Sequence, residues 1–370
     1  MTIDKLCVIY NFAQKYRTAI FRAIDNNWDC KWIFGRNTTD IKGMDTSLLK
    51  DVDFVENKTV IGPLFRQTGI AAEASKAEYD TILMLGEPFN VSTWNILLRN
   101  KLSRNRKRIF MWSHGWYGRE GFFKKWLKRA FFGLADKTFL YGNYAKEVAV
   151  SQGFPPEKLA VIHNSLDHEE QVSLRKSLLP SGIYRRHFGN DNPVLIFIGR
   201  LTAVKRLDLL LTAIESLNRK NENYNIVLVG DGEKREELES IVRESGLEGQ
   251  VWFYGACYDD NHNAQLISEA DLCVAPGNVG LTAMHTMVFG TPVLTHDNFP
   301  MQMPEFEAIH RGRTGDFFEY DNVESLADAI SRWFASHRDE REEIRKYCYE
   351  EIDSYWTPEY QMCVLMDNMN

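Results

Sequence analysis

The apolar run Val194-Leu-Ile-Phe-Ile ends in Gly199-Arg200, and Lys205-Arg206 follow five residues later, ahead of a helical pattern. A β-branched run closed by Gly-Arg reads as a buried parallel strand ending in a tight turn. Open α/β sheets bind ligands just beyond the carboxyl ends of such strands. Arg200 and Lys205, beside a helix start, are therefore placed to hold a diphosphate. Both also fit as ordinary solvated loop charges.

Two more loops share this layout. Asn225-Ile-Val-Leu-Val leads into Gly230-Asp231-Gly232-Glu233, a glycine turn that opens a helix. Without a third glycine it is half a dinucleotide fingerprint, and it reads equally as a plain βα turn. The stretch from Ala275 through Gly277, Asn278, Gly280, Leu281, Thr282, His285 and Gly290 to Pro292 is more specific. A strand ends at Ala275, a two-glycine loop exposes backbone amides, a helix spans Gly280 to Gly290, and Pro292 opens the next strand. Such amides form an anion site without a charged side chain, or else only cap the helix. In the first half, His114 closes a strand between Trp112 and Trp116, and Gly115 keeps its approach open. It reads as a site residue or as a packed ring. Glu87, after the strand Thr81–Gly86, fits an acceptor hydroxyl or a helix start equally well.

To position these residues the chain needs two sheets. Strand patterns at Leu6–Asn11, Cys30–Gly35, Thr81–Gly86, Arg108–His114, Lys137–Tyr141 and Leu159–His163 alternate with helical ones in the first half. Val194–Gly199, Asn225–Gly230, Val251–Tyr254, Leu272–Ala275 and Pro292–Thr295 do so in the second. Regular alternation implies an α/β fold of two doubly wound parallel sheets, with an interdomain cleft as ligand site. The expected domains are 1–170 and 190–340. A polar join spans 166–193, and a helical tail, 341–370, packs back on the first domain.

At 370 residues, with 44% hydrophobic and 26% charged content, the chain reads as a soluble two-domain protein. No apolar run reaches the roughly 18 residues of a membrane span, and the start lacks a signal-peptide layout. The six cysteines form no C-x-x-C pair and the nine histidines no metal spacing, so reduced thiols, a cytoplasmic setting and no metal are expected. Net charge is −7, yet residues 1–175 carry 26 Lys+Arg against 19 Asp+Glu. Within 99–129 there are eleven basic residues and one acidic residue, Glu120, interleaved with Phe122, Phe123 and Trp126. No nucleic-acid-binding motif accompanies them. The block reads as a peripheral contact with an anionic membrane, or as a solvated face over a buried stripe.

Gly199-Arg200…Lys205, Val229-Gly230-Asp231-Gly232, Phe253-Tyr254-Gly255, Gly277–Pro292 and Pro304-Glu305…Gly315, in this order, resemble the donor half of retaining glycosyltransferases of family four. Trp112-Ser-His114-Gly115, Ala135-Asp136, Tyr141, Gly153-Phe154 and Val161–Asp167 extend the resemblance into the first half. It implies the GT-B fold and transfer from a nucleoside diphosphate sugar to a saccharide or lipid-linked acceptor. It also implies no cofactor or metal, and a setting at the inner face of the cytoplasmic membrane in bacterial surface-polysaccharide assembly. Arg200 and Lys205 would stabilise the leaving diphosphate, helped by the amides of Gly280-Leu281-Thr282. Gly199, Gly230 and Tyr254 would line the donor site, and His114 would face the donor sugar. Tyr16 and Arg17 would sit on the acceptor side with Glu87. The family's two glutamates are replaced by Gly277 and His285, which leaves ribose recognition to His285 and sugar recognition to backbone or Asn278. An epimerase or hydrolase of the same fold, or a non-catalytic nucleotide-sugar-binding paralogue, are the alternatives.

Overall fold

The computed structural model describes residues 3–36 and 42–370. The chain forms two compact units, residues 1–167 with 356–370 and residues 168–355. In the first, the strands are β1 (Leu6–Tyr10), β2 (Cys30–Gly35), β3 (Val52–Val55), β4 (Asn57–Ile61), β5 (Leu64–Gln67), β6 (Thr81–Leu85), β7 (Arg108–Ser113), β8 (Lys137–Leu140) and β9 (Leu159–Val161). Seven make a parallel sheet ordered β3-β2-β1-β6-β7-β8-β9, while β4 and β5 form an antiparallel hairpin. Strand order reverses at β1/β6, where loops diverge and leave a crevice. Alternate residues feed opposite faces of the sheet, as a buried parallel strand requires. Leu6, Val8 and Tyr10 pack with Phe21, Trp32 and Leu365, whereas Cys7 and Ile9 pack on the other side with Met84, Met111 and Phe131.

The second unit contains β10 (Val194–Ile198), β11 (Asn225–Val229), β12 (Val251–Gly255), β13 (Leu272–Ala275), β14 (Val293–His296) and β15 (Gly315–Phe318). They form a parallel sheet ordered β12-β11-β10-β13-β14-β15. Its switch point is β10/β13, the two strands that run into Gly199-Arg200 and Pro276-Gly277.

Two sequence expectations are corrected. The join at 166–193 holds two helices, His168–Ser177 and Ile183–Phe188, both within the second unit. The first buries none of its residues and so shows no apolar stripe in the sequence; Asp353 ties it down through His168 at 2.7 Å and Arg175 at 2.8 Å. The tail is not one piece. Helix Arg341–Tyr355 buries Ile344, Cys348 and Ile352 in the second unit, and only 356–370 joins the first. The split falls where the Trp356 ring lies 4.5 Å from that of His163, tilted by 40°, and Pro358 opens a new helix capped by Thr357.

Candidate functional site

Three strand ends of the second unit interlock backbone to backbone. Gly199 N donates to Val229 O, Leu201 N to Asp231 O, and Gly230 N to Gly255 O, each at 2.9 Å. A Cβ on Gly230 would lie 1.8 Å from Gly199 O, so only glycine permits this approach. The loop after β13 closes on the same turn. Gly277 N donates to Lys205 O at 3.0 Å, and a Cβ at 277 would sit 1.9 Å from Val204 O. Gly277 therefore stands where a glutamate cannot fit without moving the 204–205 backbone.

Lys205 is held inside this knot. Its Nζ donates to Asn278 O at 2.7 Å and Asn278 Oδ1 at 2.9 Å. Asn278, expected as a sugar contact, spends its side-chain oxygen on the lysine. Burial lowers the Lys205 pKa to about 8; Glu305 opposes that shift and Arg200 adds to it. Arg200 itself is exposed, and its side chain makes no hydrogen bond or ion pair among the described residues. The arrangement is one fixed ammonium and one free guanidinium, with no anion bonded to Lys205 in the loop that holds it.

The sign of the pH dependence follows. The protonated lysine is the useful form, and it is lost as pH rises through about 8. kcat/KM for a diphosphate donor is expected to fall on the alkaline side near pH 8, and the residual rate of Lys205→Ala to lack that limb. A flat wild-type profile to pH 9 would detach Lys205 from the reaction.

The helix after the glycine loop is shorter than expected, Thr282–Met287 instead of Gly280–Gly290. Its first internal bonds are Ala283 N to Gly280 O and His285 N to Leu281 O, so the amides of Gly280, Leu281 and Thr282 lie outside its ladder. With so few turns the helix dipole is small, and the side-chain cations take more of the work. The Thr282 hydroxyl is engaged with Ile198 O at 2.9 Å. His285 is half-buried, and burial disfavours its charged form. Tyr254 lies on the edge strand β12, its ring 5.0 Å from Trp252.

Sequence reading gave no role to two residues here. Gln302 fixes the glycine loop, accepting from Val279 N at 2.9 Å and donating to Thr295 Oγ1 at 2.8 Å. Glu305 is 2% exposed, lies in the turn Pro304–Ala308, and bears on Lys205. It brings a carboxylate to the site where Gly277 cannot. Its only sequence signal was an acidic residue after a proline within the family-like run.

The first unit gathers a second group at the carboxyl edge of β1, β6, β7 and β8. His114 is half-buried, with its ring 4.6 Å from Tyr141. Burial first, then Arg17 and Lys128, push its pKa down to about 4, so it is neutral at physiological pH. Arg17 is buried and donates through Nη2 to Tyr141 Oη. Tyr16 is half-buried beside it, its ring centroid 5.3 Å from the guanidinium carbon. Glu87 is half-buried, and burial raises its pKa against the pull of the Phe89 amide and Lys128.

The basic block contains the helix Phe122–Gly133. Phe122, Phe123 and Trp126 are 89%, 70% and 59% exposed, alongside exposed Lys124, Lys125 and Arg129. Lys128 turns inward instead, donating to Gly115 O at 2.6 Å and pairing with Glu120 at 2.5 Å. Among the described residues no helix is long and apolar enough to cross a membrane, and no group of three or more His, Cys, Asp or Glu is arranged for a metal ion.

Residues 185–351 match the family of glycosyl transferases group 1. An uncharacterized glycosyltransferase of Methanocaldococcus jannaschii is 29% identical over 161 residues, 40% of this chain and 39% of that protein. Alpha-D-kanosaminyltransferase of Streptomyces kanamyceticus is 26% identical over 152 residues, 40% of this chain and 38% of that protein. The chain thus spans about two fifths of the length of these curated relatives. Among solved structures, the lipopolysaccharide outer core galactosyltransferase WaaB superposes with a TM-score of 0.73 at 16% identity, covering 99% of both chains. Anabaena HepE bound to UDP gives 0.70 at 17% identity, covering 98% of this chain and 99% of that one. The fold is GT-B, two Rossmann-like parallel-sheet domains. The match to glycosyl transferases group 1 falls within the second unit.

Proposed function

We propose that the protein is a retaining glycosyltransferase that moves a sugar from a nucleoside diphosphate sugar to a saccharide or lipid-linked saccharide. The observation that carries this is Lys205, clamped by Asn278 beside free Arg200 at the ends of the switch-point strands. As the bond from the anomeric carbon to the diphosphate breaks, its electron pair leaves with the phosphate oxygen. The two cations and the amides of Gly280–Thr282 stabilise that charge, and the acceptor oxygen bonds to the same face of the sugar as its proton passes to the departing phosphate oxygen. The role given to a divalent ion elsewhere falls to Arg200 and Lys205. UDP bound to HepE supports a nucleotide donor. Transfer assayed with excess EDTA, products read by mass spectrometry, tests this. Sugar should reach the acceptor at an unchanged rate. Sugar freed or epimerised without acceptor would make the chain a hydrolase or epimerase, and a rate rescued by magnesium would remove the metal-independent assignment.

A surface-polysaccharide role at the inner face of the cytoplasmic membrane agrees with the lipopolysaccharide-directed activity named for WaaB. Exposed Phe122, Phe123 and Trp126 among Lys124, Lys125 and Arg129 suit a helix lying on anionic lipid. Each charge adds about 1 kcal/mol at most, screened over about 8 Å at physiological salt. Binding to anionic vesicles should therefore be reversible and salt-sensitive, and Lys124/Lys125/Arg129→Glu should abolish it at low salt. Lys128 is left intact in this variant because it is paired with Glu120. Equal sedimentation of both proteins would return the helix to a solvated face.

A further inference from the structure

Arg17 is a buried charge in the first unit. It is 4% exposed, yet no carboxylate lies within ion-pair distance of it among the described residues. Its neighbours are rings, with centroids 5.1 Å (Trp112), 5.3 Å (Tyr16 and Tyr141) and 5.5 Å (Tyr10) from the guanidinium carbon. One nitrogen donates to Tyr141, while Nε and Nη1 are buried with no hydrogen-bond partner. Around them lie Tyr10 Oη, Trp112 Nε1 and His114 Nδ1, each buried and also without a partner. Buried polar atoms are almost always hydrogen-bonded, and buried charges are paired. Here the orphans are nearly all donors, so what the cluster lacks is an acceptor carrying negative charge. Its half-buried members, Tyr16 and His114, mark the side open to solvent. The group stands at the carboxyl ends of β1, β7 and β8, next to the β1/β6 switch point, where this fold admits ligands.

We propose that Arg17, with Tyr10, Trp112 and His114, forms an oxyanion site in the first unit that takes a phosphoryl or carboxylate group of the acceptor. The unpaired Nε and Nη1 offer two charge-assisted donors on one fixed guanidinium, which the single ammonium of a lysine does not reproduce. The acceptor is thus an acidic saccharide, either phosphorylated or carboxylated; calling it the acceptor rests on the transfer reading above, whereas the anion site does not.

The test is a thermal-shift titration of the full chain with glucose 6-phosphate, glucuronate and neutral glucose. At least one of the two acidic sugars should raise the melting temperature where glucose does not, and which one does identifies the oxyanion. Arg17→Lys should weaken that sugar about tenfold or more while UDP or GDP binding stays unchanged. The acidic sugar must still bind Lys205→Ala, which separates this site from the one in the second unit. Wild-type protein also reports without any variant that must fold. An anion beside Arg17 should lift the His114 titration from about 4, seen by NMR. Failure of both acidic sugars to bind, equal binding by Arg17→Lys, or an unmoved His114 would overturn the proposal. Absent nucleotide binding would sink only the transfer reading.

Discussion

Lys205→Ala is expected to lower kcat/KM for the nucleotide-sugar by about 30- to 1000-fold, the equivalent of about 2–4 kcal/mol for a lost charge-assisted contact to a leaving group. Folding should survive, because burial already opposes the charge that the substitution removes. Lys205→Arg should not restore the rate, since the two Asn278 oxygens at 2.7 and 2.9 Å clamp a compact ammonium. Arg200→Ala should lose rate over the same range with no change in melting temperature, its side chain being exposed. Steady-state kinetics and thermal melts of the three variants check these outcomes together. Wild-type rates in both alanine variants would remove the diphosphate assignment.

Restoring a glutamate at Gly277 is expected to destroy the site instead of improving it. A side chain there meets Val204 O at 1.9 Å and the Lys205 backbone at 2.8 Å. Backbone cannot yield as a flexible side chain does, so the cost should reach about 3 kcal/mol or more. The 204–205 turn would move and carry Lys205 off Asn278. Gly277→Ala should show nearly the same loss of stability and turnover, because the clash begins at Cβ. Glu305→Gln should leave stability nearly unchanged but weaken sugar recognition. Normal melting with raised turnover in Gly277→Glu would mean that the loops are looser than the packing indicates.

Sheets and glycine turns were legible because their signals are local. β10 and β11 are short, largely apolar and mostly buried runs, and each stops at a glycine: Gly199 at a φ of 149°, and Gly230 where a Cβ would lie 1.8 Å from Gly199 O. β3 and β15 escaped notice because each is four residues long and interrupted by an aspartate, Asp53 and Asp316. The hairpin β4–β5 was invisible for another reason: it is largely exposed and lies outside the main sheet, so no hydrophobic alternation marks it. At the site, Arg200 and Lys205 stood out by charge after a strand end. Their difference did not, since only the fold shows one clamped and the other free. Glu305 reaches Lys205 from across the β14–β15 connection, a proximity of a hundred residues that spacing cannot reveal. Lys128 was counted with the solvated charges of its helix, yet its pairing with Glu120 and Gly115 turns it toward the fold.

The central claim is a nucleoside diphosphate sugar held by Lys205 and Arg200, and a thermal-shift screen of UDP-, GDP- and CMP-sugars addresses it most directly, because a ligand of the native state raises apparent stability. One nucleoside diphosphate sugar should raise the melting temperature of the wild type, and should lose most of that effect in Lys205→Ala. No shift with any nucleotide-sugar, or an equal shift in Lys205→Ala, would contradict the account.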